Sequence, residues 1–251
     1  MPVTPPIEAP LIEVFSSLQG EGVLIGARQV FVRFAECNLN CAYCDTPFVA
    51  GASYRLETAP GSGQNQTCNN PCRLDALTET LALWIAQHPG LHHSLVLTGG
   101  EPLLHAPQLM RWLPQVRKFL PIFLETNGTL IDSLIACLAD IDLISMDVKL
   151  ESVTGEMTPW NDHQRFIGVA KDRLCQVKIV VGKVTTQEEV CRAAELVAAA
   201  SVDAPLIIQP QTCASGFEVD GSLLLALQAA ASDVYSDVRV IPQVHPWLGV
   251  A

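Results

Sequence analysis

The stretch Val30-Phe31-Val32-Arg33-Phe34-Ala35-Glu36-Cys37-Asn38-Leu39-Asn40-Cys41-Ala42-Tyr43-Cys44 runs a short apolar strand directly into three closely spaced cysteines. The same change, from branched apolar residues to polar ones, recurs downstream. Residues 94–97 lead into Thr98-Gly99-Gly100-Glu101, and residues 122–124 into Glu125-Thr126-Asn127-Gly128. Residues 143–148 carry Ser145, Met146 and Asp147 with Lys149 just beyond, and residues 206–208 lead into Gln209-Pro210-Gln211. Residues 177–181 and 238–241 read as further strands, rich in branched side chains. Between the strands the apolar period lengthens. Leu77, Leu81, Trp84 and Ile85 fall on one helical face, as do Val190, Ala193, Ala194 and Val197 within residues 187–200. Helices are also expected over residues 108–119, 131–138, 161–170 and 223–230. Alternating strands and helices predict an α/β fold with a mostly parallel sheet and helical crossovers. In such a fold, polar groups at the carboxyl ends of successive strands mark the active face. Periodicity leaves open whether the sheet closes.

Two segments interrupt this alternation. Residues 47–73, rich in Gly, Ser, Asn, Gln and Pro, read as a long loop after the cysteines, and a loop of that length is usually functional or mobile. Residues 11–22 precede the repeat and end in Gln19-Gly20-Glu21-Gly22.

The composition suits one globular domain spanning residues 1–251: 49% of residues are hydrophobic and 16% charged. The formal net charge of −11 disfavours extended nucleic-acid binding, without excluding a local basic pocket for a small anion. The first ten residues lack the basic flank and apolar stretch of a signal peptide, and no apolar run is long enough to span a bilayer. The expectation is therefore a cytoplasmic protein with no membrane partner. In a reducing compartment, nine cysteines point to metal or redox chemistry more than to disulfides.

Cys37, Cys41 and Cys44 form a C-x3-C-x2-C pattern. Three thiolates on one tight loop suit three corners of an iron–sulfur cubane, or a zinc site completed by a fourth ligand such as Cys68 or Cys72. A three-ligand cluster leaves one iron open. The amino and carboxylate groups of S-adenosylmethionine can chelate such an iron, and one electron passed to the sulfonium then yields a 5′-deoxyadenosyl radical.

The cysteine spacing, Tyr43 before the last cysteine, and the Gly99-Gly100-Glu101 strand end together resemble the radical S-adenosylmethionine superfamily. A narrower resemblance covers nearly the whole chain. Residues 13–22, Phe31-Val32-Arg33-Phe34, Asp45-Thr46, Thr98-Gly99-Gly100-Glu101-Pro102-Leu103, Glu125-Thr126-Asn127-Gly128-Thr129, Ser145-Met146-Asp147-Val148-Lys149, Ile208-Gln209-Pro210 and Pro242-Gln243-Val244-His245 follow, in order, the pattern of the 7-carboxy-7-deazaguanine synthase family.

That resemblance implies a partial (β/α) barrel of the radical type, with a reduced core of six strands and an extended loop after the cluster motif. It implies conversion of 6-carboxy-5,6,7,8-tetrahydropterin to 7-carboxy-7-deazaguanine with loss of ammonia, in queuosine and 7-deazapurine biosynthesis. The implied cofactors are a [4Fe-4S] cluster on Cys37, Cys41 and Cys44, S-adenosylmethionine, and Mg²⁺ on the Thr46 hydroxyl. An external electron donor of the flavodoxin or ferredoxin type and a homodimer are also implied. Matching positions assign substrate contacts to Leu18, Gln19, Gly20, Arg33, Thr98 and the terminal Ala251. They assign cofactor contacts to Tyr43, Cys44, Asp45, Gly100, Ser145, Met146, Asp147, Gln209, Pro210 and Gln211. Arg33 offers a planar fork for a substrate carboxylate, its alternative being a structural ion pair. Lys149 is either a further polar contact or a surface lysine.

The sequence departs from the family pattern in places. The chain ends Val250-Ala251 instead of in Pro, so the terminal carboxylate reaches substrate only if the tail folds inward. Cys68-Asn69-Asn70-Pro71-Cys72 could hold a second metal, form a disulfide, or be incidental. Cys137, Cys175 and Cys191 read as small core residues, and His88, His92 and His93 as a solvated turn. Two competing functions remain at this level: another radical reaction, such as generation of a glycyl radical on a partner protein, and a non-catalytic zinc or iron–sulfur module. The Gln-Gly-Glu-Gly opening, a small-ligand motif, speaks against the former.

Overall fold

The structure, a computed structural model, describes residues 7–44, 46, 49–200, 202–213 and 216–250. Ten strands form its central sheet: β1 (Leu11–Leu18), β2 (Arg28–Phe34), β3 (Ser53–Glu57), β4 (Asn65–Asn69), β5 (Leu95–Gly99), β6 (Ile122–Thr126), β7 (Leu143–Val148), β8 (Leu174–Val181), β9 (Leu206–Pro210) and β10 (Val238–Val240). Their spatial order is β10-β9-β8-β7-β6-β5-β2-β1-β3-β4, an open order with two edges. From β2 through β10 the seven neighbouring strands pair in parallel, whereas β1 runs antiparallel to β2. The sheet is therefore a partial barrel that does not close, and its parallel set exceeds the expected six strands by the short edge strand β10.

Each crossover between parallel strands contains a helix. These are α1 (Leu74–Gln87), α2 (Ala106–Val116), α3 (Ile131–Cys137), α4 (Trp160–Ala170), α5 (Gln187–Ala200) and α6 (Gly221–Ser232). Alternation along the strands decides which face the helices cover. Leu95, Leu97, Ile122, Leu124, Ile144, Met146, Val177, Ile179, Leu206 and Ile208 point into one large core, which also takes Leu77, Leu81 and Trp84 of α1 and Val190, Ala193, Ala194 and Val197 of α5. The intervening residues face the opposite side. There Phe15, Phe31, Val96 and Phe123 form a small apolar cluster, with the Phe15 and Phe31 rings stacked at 5.0 Å. Nearer the carboxyl ends the same face turns polar, with Thr98, Glu125, Ser145, Asp147, Lys178 and Gln209.

The region expected to be a long loop, residues 47–73, is largely a β-hairpin. β3 and β4 pair antiparallel, and β3 pairs parallel with β1, extending the sheet. Tyr54 and Leu56 alternate inward and are buried, a pattern short enough to be lost among polar neighbours. The polar, exposed β4 (Asn65–Asn69) is suited to a sheet edge. Two carboxyl and amide side chains fix the hairpin. The Glu57 carboxylate accepts from the amides of Ser16, Gly61 and Gly63, and Asn70 pairs with both backbone groups of Leu11 (3.0 and 2.7 Å) while donating to the Gly51 carbonyl. Cys68 and Cys72 are free thiols beside the Tyr54 hydroxyl, with Cys72 buried, so they sit in packed structure instead of a solvated loop.

Residues 11–18, unassigned from periodicity, form β1. His92 also differs from expectation: it is buried, with Nε2 2.8 Å from the Ser16 hydroxyl, and burial lowers its pKa. Cys137 is in the core as expected, and Cys175 and Cys191 are half-buried. No helix among the described residues is long and apolar enough to cross a membrane.

The hairpin's dependence on Asn70 is testable. Asn70→Ala removes three hydrogen bonds to backbone groups and should cost roughly 1–3 kcal/mol. Urea unfolding would read that loss, and limited proteolysis should cut faster within residues 47–73. Unchanged stability and cleavage would mean the hairpin does not rely on this amide.

Candidate active site

The cluster loop leaves β2 directly above the exit of β5, because Arg33 pairs with Thr98 and Phe34 with Gly99 in parallel register. The two exits crowd each other. Gly100 donates to the Phe34 carbonyl (3.1 Å) and Glu101 to the Glu36 carbonyl (2.8 Å). A Cβ on Gly100 would fall 1.8 Å from the Glu36 oxygen, and one on Gly99 2.2 Å from the Phe34 oxygen. Gly99 also has φ +115, which side-chain-bearing residues rarely adopt. The glycine pair thus lets the cluster loop lie on the sheet. Glu36 enters that loop at φ +69, an uncommon conformation for a residue with a side chain.

The geometry of the next strand end secures this arrangement. Glu101 is fully buried and accepts from the amides of Leu103 and Asn127 and from the Thr126 hydroxyl. Burial pushes its carboxyl up to about 7. Asn127, to which sequence reasoning gave no role, donates to Asn38 Oδ1 at 2.9 Å and lies 3.9 Å from Cys37 Sγ. Asn38 in turn donates to the Thr129 hydroxyl. On the other side, the Ala42 amide donates to the Thr154 carbonyl and the Asn40 amide to Glu156. The loop is therefore tethered along its length.

Cys37, Cys41 and Cys44 all line one cleft of about 420 Å³ at the carboxyl ends of the strands. No fourth cysteine is among the described residues lining it. Cys37 and Cys41 are half-buried and Cys44 is exposed. Burial raises the Cys37 thiol and pushes Cys41 up to about 11, with Lys149 opposing in both cases. Soft thiols opening on a cleft, with Lys149 to favour their deprotonated forms, fit an iron–sulfur cluster.

Along the cleft wall runs a line of alternating charges. Lys149 Nζ donates to the Tyr43 hydroxyl (3.0 Å) and to Asp147 Oδ2 (2.7 Å). Lys178 lies 3.6 Å from the same Asp147 oxygen and pairs closely with Glu21. Gln243 donates to the other Glu21 oxygen at 2.5 Å. Burial raises the Glu21 carboxyl, but Lys178, Gln243 and His245 together pull it down to about 2. Burial acts against the charged forms of both lysines, yet the neighbouring carboxylates hold their pKa values above the ordinary range. Buried charges of this kind persist because each has a partner.

Glu125 belongs to the same wall. It accepts from Gln19 at 2.9 Å, and burial followed by the nearby Glu21 charge raises its pKa. The sequence assigns no role to Glu21, Lys178 or Gln243, and it places Glu125 at a strand end near the pocket without a role. Lys178 stands out only as a charged residue inside an apolar strand, whereas Glu21, Glu125 and Gln243 lie within motifs that carry no role for them.

The expected site residues divide into three groups. Arg33, Tyr43, Cys44, Thr46, Thr98, Gly100, Ser145, Asp147, Gln209 and Gln211 line the cleft. Leu18, Gln19, Gly20, Met146 and Pro210 do not. Gln19 is spent on Gln29, Glu125 and the Glu21 amide, so it shapes the wall. Gly20 lies beneath the His245 ring and accepts from the Val244 amide, docking the C-terminal segment. Met146 is buried on the helix-covered face, because it alternates with Ser145 and Asp147. Asp45 and Ala251 lie outside the described residues. Arg33 forms an ion pair through Nε with Glu13 (2.8 Å), which also binds Arg55, and lies over the Phe15 ring.

Three buried acceptors of this cleft lack a hydrogen-bond partner: Asp147 Oδ1, Gln209 Oε1 and Thr212 Oγ1. Unsatisfied buried polar atoms are costly, and a polar ligand that donates to them removes the cost. They suit the hydroxyl and amino groups of S-adenosylmethionine.

The profile of the Radical SAM superfamily matches residues 32–208. The chain belongs to that superfamily, whose members use a [4Fe-4S] cluster with S-adenosylmethionine. Among curated proteins, the chain is 44% identical to the 7-carboxy-7-deazaguanine synthase of Geobacter sulfurreducens, over 96% of this chain and 97% of that protein. It is 35% identical to the synthase of Methanothermobacter thermautotrophicus, over 97% and 98% of the two chains. Within the superfamily, it is thus a member of the 7-carboxy-7-deazaguanine synthase family. The crystal structure of QueE from Escherichia coli shares the fold, with a TM-score of 0.57 and 21% identity over 94% of both chains.

Two predictions follow from this geometry. Gly100→Ala should abolish retention of iron, because the added methyl group meets backbone that cannot rotate away; iron analysis after anaerobic reconstitution reads this. A variant with full iron would show that the two turns can part.

The second concerns His163, a fully buried residue 3.2 Å from the Gly128 carbonyl through Nδ1, whose Nε2 accepts from the Lys149 amide. Burial lowers its pKa from 6.5 to about 4. Between those values the unfolded chain takes a proton that the folded chain refuses at this residue, so the contribution of His163 to stability falls as pH drops through that window. The stability advantage of the wild type over His163→Asn, measured by urea unfolding, should be full above pH 6.5 and shrink toward pH 4. A difference that does not vary with pH would contradict it.

Proposed function

We propose that this chain converts 6-carboxy-5,6,7,8-tetrahydropterin to 7-carboxy-7-deazaguanine with loss of ammonia, a carbon–nitrogen lyase reaction in queuosine and 7-deazapurine biosynthesis. The observation that carries the proposal is one cleft in which three cysteines face Arg33, Thr98, Glu125 and a set of unpaired acceptors, in a chain that matches named synthases nearly end to end.

Cys37, Cys41 and Cys44 would hold the [4Fe-4S] cluster, which with S-adenosylmethionine supplies a 5′-deoxyadenosyl radical to start the reaction by taking a hydrogen atom from the pterin ring. Tyr43, Gly100, Ser145, Asp147, Gln209 and Gln211 would hold the sulfonium cofactor. Ser145 is ready for this, because Gln176 fixes its hydroxyl at 2.7 Å. Asp45, Met146 and Pro210 remain assigned by motif alone, and for Met146 any contact would come from its backbone.

Charge supports the substrate assignment. Glu13 is shared by two arginines, Arg33, which lines the cleft, and Arg55, which does not, so its charge leaves Arg33 only partly compensated and suited to a pterin carboxylate. Thr98 lies beside Glu125 on the wall, with Gln19 fixing Glu125 from behind; these groups can donate to and accept from the pterin edge. Leu18 and Gly20 would frame that edge through backbone, and Ala251 would contribute its carboxylate if the tail reaches inward. Thr46 lines the cleft and would give Mg²⁺ one hydroxyl oxygen, the remaining ligands being substrate oxygens and water. An external flavodoxin- or ferredoxin-type donor, a homodimeric assembly and a cytoplasmic location complete the reading; the free thiols and an exposed Cys44 suit a reducing compartment.

The direct test is anaerobic turnover of the carboxytetrahydropterin with S-adenosylmethionine, reductant and Mg²⁺. The wild type should be brown and release 7-carboxy-7-deazaguanine together with ammonium. Chelating Mg²⁺ should slow the reaction, and Cys41→Ser should remove both colour and product. A brown protein that cleaves S-adenosylmethionine but makes no deazaguanine would point to another radical reaction and overturn the substrate assignment.

A further inference from the structure

Lys149 follows β7 and turns its ammonium toward the cluster loop. The side chain is only 16% exposed, donates to Tyr43 and Asp147, and lies 5.5 Å from the centre of the Tyr43 ring. Its own backbone amide is fixed by His163. Tyr43 stands between Cys41 and Cys44, so the ammonium is anchored on the loop that carries the thiols. Its charge reaches the thiols of both Cys37 and Cys41.

The charges beyond it determine what the cluster experiences. Asp147 is shared by two lysines, and the second, Lys178, is paired with Glu21 at the far end of the cleft. The sequence Glu21, Lys178, Asp147, Lys149 is neutral as a whole but polarised. Its negative end meets the Gln-Gly-Glu-Gly segment, and its positive end meets the cluster loop. Within a half-buried site such a charge is only weakly screened. A fixed cation beside a cluster favours the reduced state, which carries one more negative charge.

We propose that Lys149 sets the reduction potential of the cluster, acting as a fixed positive charge on the loop while Asp147 tempers it. This rests on the reading that Cys37, Cys41 and Cys44 hold a [4Fe-4S] cluster. The two residues should therefore act in opposite directions. Lys149→Met keeps the length and apolar stem but removes the charge, so the potential should become more negative. Asp147→Asn keeps the shape but leaves the ammonium less compensated, so the potential should become more positive. Lys149→Arg keeps the charge and should stay close to the wild type.

The experiment is a potentiometric titration of full-length, anaerobically reconstituted protein without S-adenosylmethionine, followed by the electron paramagnetic resonance signal of the reduced cluster, with iron counted in each sample. Loosening of the loop by itself would not produce shifts of opposite sign. Unmoved potentials in fully loaded Lys149→Met and Asp147→Asn, or shifts in the same direction, overturn the proposal. If Lys149→Met does not fold or load, Asp147→Asn decides alone: a positive shift supports the role, and no shift or a negative one overturns it. Wild-type protein that takes up no iron sinks the cluster reading and this inference with it, whereas loaded variants with unchanged potentials overturn only the role of Lys149.

Discussion

The site depends on the contact between Gly100 and the Glu36 carbonyl. Parallel pairing of β2 with β5 brings two strand exits to the same level, one of which must carry the three cysteines. Two glycines let the chains pass at a distance that leaves no room for a Cβ, and backbone hydrogen bonds from Gly100 and Glu101 then hold the cluster loop down. The buried Glu101 carboxylate extends that support to the next strand by binding the Thr126 hydroxyl and the Asn127 amide. Asn127 reaches back to Asn38. Loop, glycine turn and neighbouring turn thus form one connected unit, and the thiol positions follow from the register of the sheet.

The sheet itself has two unlike faces. Its helix-covered face is apolar along the full length of the parallel strands and supplies most of the hydrophobic burial. The other face is apolar only near its amino end, where Phe15, Phe31, Val96 and Phe123 seal the floor. Above that floor the inward positions are Arg33, Thr98, Glu125, Asp147, Lys178 and Gln209. Strand alternation therefore separates a structural face from a chemical face without requiring a closed barrel. The charges there persist because they are paired, and the acceptors left over on Asp147, Gln209 and Thr212 are the groups a bound cofactor would satisfy.

Much of this was legible in the sequence where period and burial agree. The strand at residues 122–124 and the helix at residues 187–200 occur where branched and periodic residues place them. The cysteines, Gly100, Thr98 and Asp147 converge as their positions at strand ends predict. The hairpin of residues 53–69 was not legible, since Tyr54 and Leu56 are its only buried hydrophobic residues and its outer strand is polar apart from Cys68. The absence of side chains at Gly99 and Gly100 admits the chain's own Phe34–Cys37 backbone, a contact with no local signature. Lys178 was hidden for a different reason: a lysine within Val177-Lys178-Ile179 acquires meaning only when the register of β7 and β8 sets it opposite Asp147. Pairings between residues distant in sequence, such as Glu21 with Lys178 and Gln19 with Glu125, have no local signature.

Everything in the proposed chemistry requires that the cluster offer S-adenosylmethionine an iron bearing no protein ligand. Electron–nuclear double resonance on the reduced, cluster-loaded protein tests it directly, using cofactor labelled with ¹⁵N at the amino group and ¹⁷O in the carboxylate. Hyperfine coupling of both labels to the cluster is the expected result. Absence of both couplings, with a persistent signal from a fourth protein side chain on the cluster, would contradict it.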